Sequence, residues 1–316
     1  VAGQAAATDP LRADTDGDGL SDKVETGSGV FVNVTDSGSD PLKADTDEDG
    51  FGDLQEVFSA SDPTKASAVP NATRPALVNL DAGNLALGSL ANWTNAGTMG
   101  SAFAAPATAP GRVQIIQGVK GVTLDGVNNY YTGPAAPAFV TGNASRTVEA
   151  WIYNPVPADE ETIFSWGRRG GPDGSNCSFN HGLNANFGAV GHWGAPDIGW
   201  NGQTARGQWT YVAYTYDGPN RTTTVYKDGA EANTETLANP LNTFAIDNAN
   251  RPLPFRVGSQ NDANGNPTGA LRGSLTIAEL RVYDRVLDAP TIQSNYEAGT
   301  DKYGLVDFDK DTLPTW

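Results

Sequence analysis

Two stretches near the start of the chain carry carboxylates at the spacing that a calcium-binding loop requires. In residues 14–25 the acids fall at loop positions 1, 3, 5, 9 and 12, and Gly19 takes position 6. Alternating aspartates can point toward one hard cation, a glycine permits the sharp turn, and a backbone carbonyl serves at position 7. The predicted ligands of this first loop are Asp14, Asp16, Asp18, the Leu20 carbonyl, Asp22 and Glu25.

The same pattern returns in residues 45–56, with Gly50 at position 6. An Asp-Pro-Leu string precedes both loops at the same distance, and an Asp-Pro pair follows the second loop. A repeat that keeps the acids, the glycine and the flanks in register predicts at least two bound Ca2+ ions, against the simpler alternative of a solvated acidic loop. The predicted ligands of the second loop are Asp45, Asp47, Asp49, the Phe51 carbonyl, Asp53 and Glu56.

The segments around the loops do not follow the EF-hand pattern. Pro10 and Pro41 lie just before the loops and leave no room for an entering helix, whereas a short helix can follow each loop. Over about residues 9–63 the repeated Asp-Pro-Leu and Asp-x-Asp-x-Asp-Gly strings resemble the thrombospondin type 3 calcium repeats of secreted proteins. The resemblance implies that the aspartates of the three Asp-Pro pairs also reach a cation. These are Asp9, Asp40 and Asp62.

The negative charge of the chain is concentrated in this region. The net charge is −17 over 316 residues, and residues 1–66 alone contribute −11. Nucleic acids and anionic membranes are recognised by basic patches, so neither is an expected partner. No stretch is apolar for long enough to insert into a membrane. The single Cys177 permits no internal disulfide, and structural calcium in its place predicts an extracellular or cell-surface protein of bacterial origin.

Residues 1–66 contain too few large apolar side chains to build a core of their own. Such a segment cannot offset its conformational entropy by burial alone. Folding of residues 1–66, which we predict to be tandem calcium-binding repeats, is therefore expected to be coupled to calcium binding. Residues 67–76 are predicted to form a linker.

From about residue 77 the pattern changes to short runs of strand-forming residues separated by turn signals. Residues 147–153 and 209–216 alternate with the period of a strand, and Asp-Gly pairs mark turns. Helical pattern is confined to residues 288–297, which Asp288 can cap. We therefore predict a mainly β fold, an antiparallel two-sheet sandwich preceded by a small irregular calcium-loop module. The predicted strands are 77–82, 114–117, 121–124, 147–153, 162–166, 189–193, 209–216, 223–227, 255–258 and 273–283.

Five strings in this region have the order and spacing of a known sandwich family. They are Val-Thr-Leu-Asp-Gly at 122–126, Thr-Val-Glu-Ala-Trp-Ile-Tyr at 147–153, Gly-Gln-Trp-Thr-Tyr-Val-Ala-Tyr-Thr-Tyr-Asp-Gly at 207–218, Val-Tyr-Lys-Asp-Gly at 225–229 and Gly-Ser-Leu-Thr-Ile-Ala-Glu-Leu-Arg-Val-Tyr at 273–283. Over about residues 77–299 the chain resembles the laminin G-like branch of the concanavalin A-like jelly rolls. The resemblance implies a sandwich domain at 77–300 whose concave face or rim often binds glycans and sometimes proteins, without catalysis.

The last residues begin like another acidic loop. Asp307, Asp309 and Asp311 follow the alternating spacing, but position 6 is Thr312 and no twelfth position follows. Residues 301–316 are therefore predicted to start a further acidic repeat, with neighbouring domains of a longer chain beyond it. An incomplete loop is expected to bind calcium weakly or not at all.

The least regular part of the predicted sandwich combines aromatic, basic and amide side chains. Sugar sites use this mixture, because a flat ring stacks on a pyranose while polar groups bond its hydroxyls, and paired arginines suit an acidic or sulfated glycan. The alternative is a structural role for these residues. Trp166 would then lie in the core, Arg168 would pair with Asp173, and His181 would be buried with its hydrogen bonds satisfied. The candidate ligand-binding residues are Trp166, Arg168, Arg169, Asp173, Asn176, His181, His192, Trp193, Trp200 and Asn201.

Catalysis is not indicated by any motif. Glycosidases need two carboxylates that face a cleft, and the strand containing Glu149 offers no second acid. A lyase could be assembled from Tyr, His and Arg, but only clustering supports it. We therefore predict a non-catalytic calcium-binding segment that binds a glycan or a surface protein in adhesion. The alternatives left open are a structural or protein-binding spacer without sugar binding, and a polysaccharide lyase or glycosidase.

Overall fold

The computed structural model describes residues 7–58, 61–68, 75–202, 204–269, 271–303 and 305. The chain divides into two compact units. The first comprises Val1–Pro75 with Pro137–Phe139, and the second comprises Ala76–Ala136 with Val140–Trp316. The predicted linker at 67–76 and the predicted acidic repeat at 301–316 lie mostly outside the described residues, so both remain predictions.

The first unit is built from turns around two acidic loops, with little regular structure. One short helix, α1, covers Asp53–Phe58 and follows the second loop. Residues 22–24 at the end of the first loop form a turn and no helix follows them, so the prediction of a short helix leaving the first loop was wrong. Leu20, Leu54 and Val57 form a small buried apolar cluster in this unit, and Val24, Phe31 and Phe139 pack against it. This small cluster agrees with the expected shortage of core residues.

The second unit contains a nine-stranded antiparallel sheet. Eight strands follow the order β14-β13-β12-β8-β16-β6-β5-β2, and β1 pairs with β16 beside β6. The strands are β1 (Val78–Asp81), β2 (Gly88–Leu90), β5 (Gly111–Ile116), β6 (Val119–Thr123), β8 (Arg146–Tyr153), β12 (Trp209–Asp217), β13 (Thr222–Lys227), β14 (Ala230–Thr236) and β16 (Thr276–Tyr283).

A seven-stranded sheet forms the other layer, in the order β11-β10-β9-β15-β7-β4-β3. A single 3-10 turn at Ala138–Val140 follows β7. The strands are β3 (Asn92–Thr94), β4 (Ala102–Ala104), β7 (Tyr131–Ala135), β9 (Thr162–Gly167), β10 (Asn176–Asn180), β11 (Val190–Gly191) and β15 (Pro254–Val257). Two antiparallel sheets and few helices confirm the predicted fold class.

The core of the sandwich is aromatic. Phe179 on β10 stacks on Tyr214 on β12, with ring centroids 6.1 Å apart, and so joins the two layers. Val148 pairs with Tyr214 across β8 and β12, so Val148 shares that inner face. The alternating residue Trp151 faces the other side of the nine-stranded sheet, where it packs among a second buried cluster.

A C-terminal helix, α2 (Ala289–Tyr303), covers that outer face. Asp288 caps it, since its Oδ1 accepts a hydrogen bond from the Thr291 amide at 2.9 Å, as the sequence predicted. Ile292 is fully buried, and Tyr296 stacks on Trp151 with centroids 5.8 Å apart. Within the described residues, neither this helix nor the other one has the length and apolarity needed to traverse a bilayer.

Candidate functional site

The first acidic loop gathers three carboxylates around one point. One oxygen from each of Asp14, Asp16 and Asp18 lies within 4.8 Å of the others. Hydrogen bonds also shape the loop, because Asp14 accepts one at Oδ1 from the Gly17 amide at 2.7 Å and one at Oδ2 from the Gly19 amide at 3.0 Å. Gly19 has a φ of 104°, a left-handed conformation that favours glycine.

The second loop repeats this geometry closely. Oxygens of Asp45, Asp47 and Asp49 lie within 4.8 Å of one another. Asp45 accepts hydrogen bonds from the amides of Glu48 at 2.8 Å and Gly50 at 3.0 Å. The sequence repeat is therefore also a structural repeat.

The aspartates at loop position 9 hold the loops together from inside. Asp22 accepts hydrogen bonds from the amide and the hydroxyl of Thr15, both at 2.8 Å. Asp53 does the same for Thr46, at 2.8 Å and 2.6 Å. Both aspartates were predicted as metal ligands, and the threonine at position 2 was not singled out, although it is present in both repeats.

The aspartates of the Asp-Pro pairs make a local turn. Asp9, Asp40 and Asp62 each accept a hydrogen bond from the amide two residues later, at 3.0 Å, 3.1 Å and 3.1 Å. None of them belongs to a converging group of acids in the described part of the chain. Their role as cation ligands, which the resemblance implied, remains a prediction.

The glutamates at loop position 12 are buried acids. Glu25 is 1 % exposed and Glu56 is 0 % exposed. Burial, together with the charge of Asp18 near Glu25 and of Asp47 near Glu56, raises the pKa of each glutamate to about 8. A cation placed among these oxygens would favour their ionised form.

The available oxygens fit a hard divalent cation. Four buried carboxylate oxygens have no hydrogen-bond donor: Asp16 Oδ2, Glu25 Oε2, Asp47 Oδ2 and Asp49 Oδ2. Buried polar atoms are normally paired, and oxygen-only donor sets are those that Ca2+ prefers. The donor sets of both loops therefore suit calcium, whereas the carbonyls of Leu20 and Phe51 remain predicted ligands.

Most of the candidate ligand residues in the sandwich lie in its interior. Trp166 is fully buried, and its indole N–H donates to the Val140 carbonyl at 2.8 Å. Side chains in such positions cannot meet a ligand at the surface. The predicted set of ligand-binding residues was therefore too large. The buried candidates are Trp166 at 0 %, Arg168 at 8 %, Asn176 at 1 %, His181 at 1 %, His192 at 0 % and Trp200 at 6 % exposure.

The two buried histidines should make the sandwich sensitive to acid. Burial lowers the pKa of His181 to about 3 and that of His192 to about 4. Both are neutral when folded, but the unfolded chain gains a proton on each below about pH 6.5. Stability is therefore complete above pH 6.5 and is lost as the pH falls, by up to about 2 kcal/mol per histidine at pH 5.

Urea unfolding of the sandwich between pH 5 and 7, followed by tryptophan fluorescence, measures this loss. No hydrogen-bond partner is present for either ring nitrogen of His181, so His181→Leu should remove about half of the pH dependence without leaving a donor unpaired. An unchanged slope in His181→Leu would show that another group titrates in this range.

A smaller set of residues forms a cluster that reaches the surface. We call Trp193, Arg169, Glu160, Gln260 and Asp197 the Trp193 cluster. The Arg169 guanidinium lies 4.8 Å from the Trp193 ring centroid, 3.1 Å from Gln260 Oε1 and 3.5 Å from Glu160 Oε1. Trp193 has a φ of 63°, which is strained for a bulky residue and is typical of functional positions.

Gln260 holds this cluster in place. Its Nε2 donates to Glu160 Oε1 at 2.7 Å and to Thr162 Oγ1 at 2.9 Å. Asp197 accepts from the His192 amide at 2.6 Å, and burial raises the pKa of Asp197. Neither Gln260 nor Glu160 was predicted to contact Arg169, because Gln260 is distant in sequence and acidic residues in loops are common.

Comparisons with known families agree with the order of modules. A family model described as the concanavalin A-like lectin/glucanases superfamily matches residues 125–293. The bacterial TSP3 repeat model matches residues 14–26 and 45–66. Both resemblances stated from the sequence are confirmed.

Several solved structures are similar to part of this chain at low sequence identity. The botulinum neurotoxin serotype G binding domain has a TM-score of 0.47 at 15 % identity, over 74 % of this chain and 53 % of that chain. Trypanosoma rangeli sialidase in complex with sialic acid has a TM-score of 0.45 at 18 %, over 76 % and 35 %. Domain 4 of AbnA, an extracellular arabinanase from Geobacillus stearothermophilus, in complex with arabinotriose, has a TM-score of 0.37 at 20 %, over 59 % and 81 %.

The chain spans about half the length of the toxin domain and about a third of the sialidase. All three TM-scores are below 0.5, so no property of these proteins is transferred to this chain. Among curated proteins, none matches the chain.

Proposed function

Because the chain belongs to the concanavalin A-like lectin/glucanases superfamily, we propose that it is a non-catalytic calcium-binding and glycan-binding segment that acts in adhesion outside the cell. The observation that carries the calcium part is the convergence of carboxylates in both loops, with four buried oxygens that lack a donor. Calcium at millimolar concentration is found outside cells, which supports an extracellular location. The match to bacterial TSP3 repeats supports a bacterial origin.

Each bound calcium ion would supply positive charge that links oxygens which otherwise repel one another. In the first loop Asp14, Asp16, Asp18 and Glu25 would hold it. In the second loop Asp45, Asp47 and Asp49 would hold it, with Glu56, whose carboxyl feels the charges of Asp47 and Asp49. The chain's own hydrogen bonds from Gly17 and Gly19 already orient Asp14 toward this position.

The Trp193 cluster supports the glycan part of the proposal. It presents a half-buried aromatic ring beside a guanidinium whose side chain is 30 % exposed. Glu160 and Gln260 fix the direction of that guanidinium, so its remaining N–H groups are preorganised for hydroxyl or carboxylate oxygens. Asp173 and Asn201 lie on exposed loops and remain candidate contacts.

Glycan binding is tested by substitution at the two surface residues of the cluster. Trp193→Ala and Arg169→Ala should each weaken binding to an acidic or neutral glycan by about tenfold or more, since each removes a central contact. A glycan array followed by calorimetry on the best glycan measures the change. Arg112→Ala removes the same charge from an exposed residue on β5 of the other sheet, and should leave affinity unchanged.

The array also separates the alternatives. If the wild-type chain binds none of the acidic or neutral glycans, a role as a structural or protein-binding spacer would be supported. Equal affinity of Trp193→Ala and wild type would place the glycan elsewhere on the sandwich. Depolymerisation of a polysaccharide by the purified chain would contradict the non-catalytic proposal.

A further inference from the structure

Acids from both repeats converge at one buried point of the first unit. One oxygen from each of Asp18, Glu25 and Asp53 lies within 4.8 Å of the other two. Asp18 and Glu25 belong to the first loop, whereas Asp53 belongs to the second. We propose that Asp53 completes the cation site of the first loop, so that this ion is shared between the repeats. This inference rests on the proposed calcium binding.

Burial makes this convergence different from an acidic surface patch. Glu25 is 1 % exposed and Asp53 is 0 % exposed, and Glu25 Oε2 is buried without a hydrogen-bond donor. The amide and the hydroxyl of Thr46 each donate to one Asp53 oxygen, and we call this pair of hydrogen bonds the threonine latch. It occupies one lone pair of each oxygen and leaves the remaining lone pairs for a cation. Buried like charges at this separation require a positive partner.

The backbone holds the second repeat against the first loop at this point. The Leu54 amide donates to Asp18 Oδ2 at 3.2 Å, and Leu54 packs in the cluster that contains Leu20. A Cβ on Gly19 would lie 2.8 Å from Leu54 Cδ2, so the glycine at loop position 6 also permits this approach. Asp53, one residue before Leu54, is thereby carried into reach of the first site.

The two sites are not equivalent in this respect. The acids of the second loop, Asp45, Asp47 and Asp49, converge without a carboxylate from another repeat among the described residues. The first site therefore takes a ligand from the second repeat, whereas the second site takes none from the first loop among the described residues. Formation of the second repeat should raise the affinity of the first site, which is positive coupling between them.

The test isolates the first ion in the full chain. Asp45→Asn with Asp47→Asn disables the second loop, and calorimetry with CaCl2 should then report one ion fewer than wild type. Adding Asp53→Asn to this background should weaken the remaining ion by about tenfold or more, because site charge sets affinity. Thr46→Val is the matched control, since it breaks the side-chain latch of the second loop and keeps the Asp53 carboxylate.

The outcomes are separable. Equal weakening by Asp53→Asn and Thr46→Val would overturn the shared site, because the effect would then come from the latch. Asp53→Glu keeps a carboxylate and should recover part of the affinity, and a loss as large as that of Asp53→Asn would show a packing defect and overturn it as well. A wild-type chain that binds no calcium would refute the proposed function itself.

Discussion

Removal of calcium should open the first unit to protease while the sandwich remains folded. The first unit has an apolar cluster of three buried side chains, so burial alone contributes little to its stability. Two ions, each at about 100 times its dissociation constant, would together contribute about 5 kcal/mol. Their loss raises the open population by roughly three to four orders of magnitude, and the cleavage rate with it.

Limited proteolysis with and without a calcium-selective chelator measures this effect. Cuts are expected within residues 7–68 and should be mapped by mass spectrometry. Restoring calcium in excess over the chelator should restore resistance, whereas magnesium should not, because it demands a smaller octahedral site. Equal resistance of this segment in chelator would show that the loops hold their shape without a cation.

The calcium loops could be predicted because their information is local. The acids and glycine of each loop lie within twelve residues, and the left-handed φ angles of Gly19 and Gly50 follow from the loop pattern. The approach of Asp53 to Glu25 could not be predicted in this way. It depends on how one repeat packs on the other, which no spacing within a loop encodes.

Two of the strands that escaped prediction have sequences that do not alternate between apolar and polar residues. Strand β14 contains no large apolar residue, and its burial ranges from intermediate to exposed along its length. Strand β10 is buried at every position, although three of its five residues are Asn or Ser. The missed strands are β2, β3, β4, β7, β10 and β14.

The candidate ligand site illustrates a second limit. An aromatic residue in a loop-rich region carries the same sequence signal whether it lies inside or outside. Trp166 lies in the core beside the buried Arg146 guanidinium, at 5.4 Å, whereas Trp193 reaches the surface beside Arg169. Pairing of β15 with β9 brings Gln260 to Arg169, and only the sheet topology contains that information.

The acid that sequence analysis considered for catalysis has a structural role. Glu149 is 2 % exposed and lies on the outer face of the nine-stranded sheet, under α2. It accepts hydrogen bonds from Arg281 Nη1 at 2.7 Å and Asn295 Nδ2 at 3.0 Å, and also from the hydroxyls of Tyr211 and Tyr283. Its four partners come from three elements, two strands and the helix, so it connects α2 to the sheet.

Arg281→Met should therefore destabilise the sandwich by about 3 kcal/mol. Removing one partner of a buried ion pair costs about 3–5 kcal/mol, and the 26 % exposure of the Arg281 side chain favours the lower end. Urea unfolding followed by tryptophan fluorescence measures the change. Arg112→Met alters an exposed arginine on β5 and should cost less than about 0.5 kcal/mol.

A second substitution tests whether the cost comes from charge. Glu149→Gln added to Arg281→Met removes the buried unpaired carboxylate while keeping an oxygen that the two tyrosines and Asn295 can reach. The double variant should be more stable than Arg281→Met alone, with a coupling of about 1–3 kcal/mol. Additive losses would mean that Arg281 does not act through Glu149, and its ion pair with Glu279 at 2.7 Å would then be the pair to examine. Because Glu149 is enclosed by these partners, Glu149→Gln should leave glycan affinity unchanged even where it lowers stability.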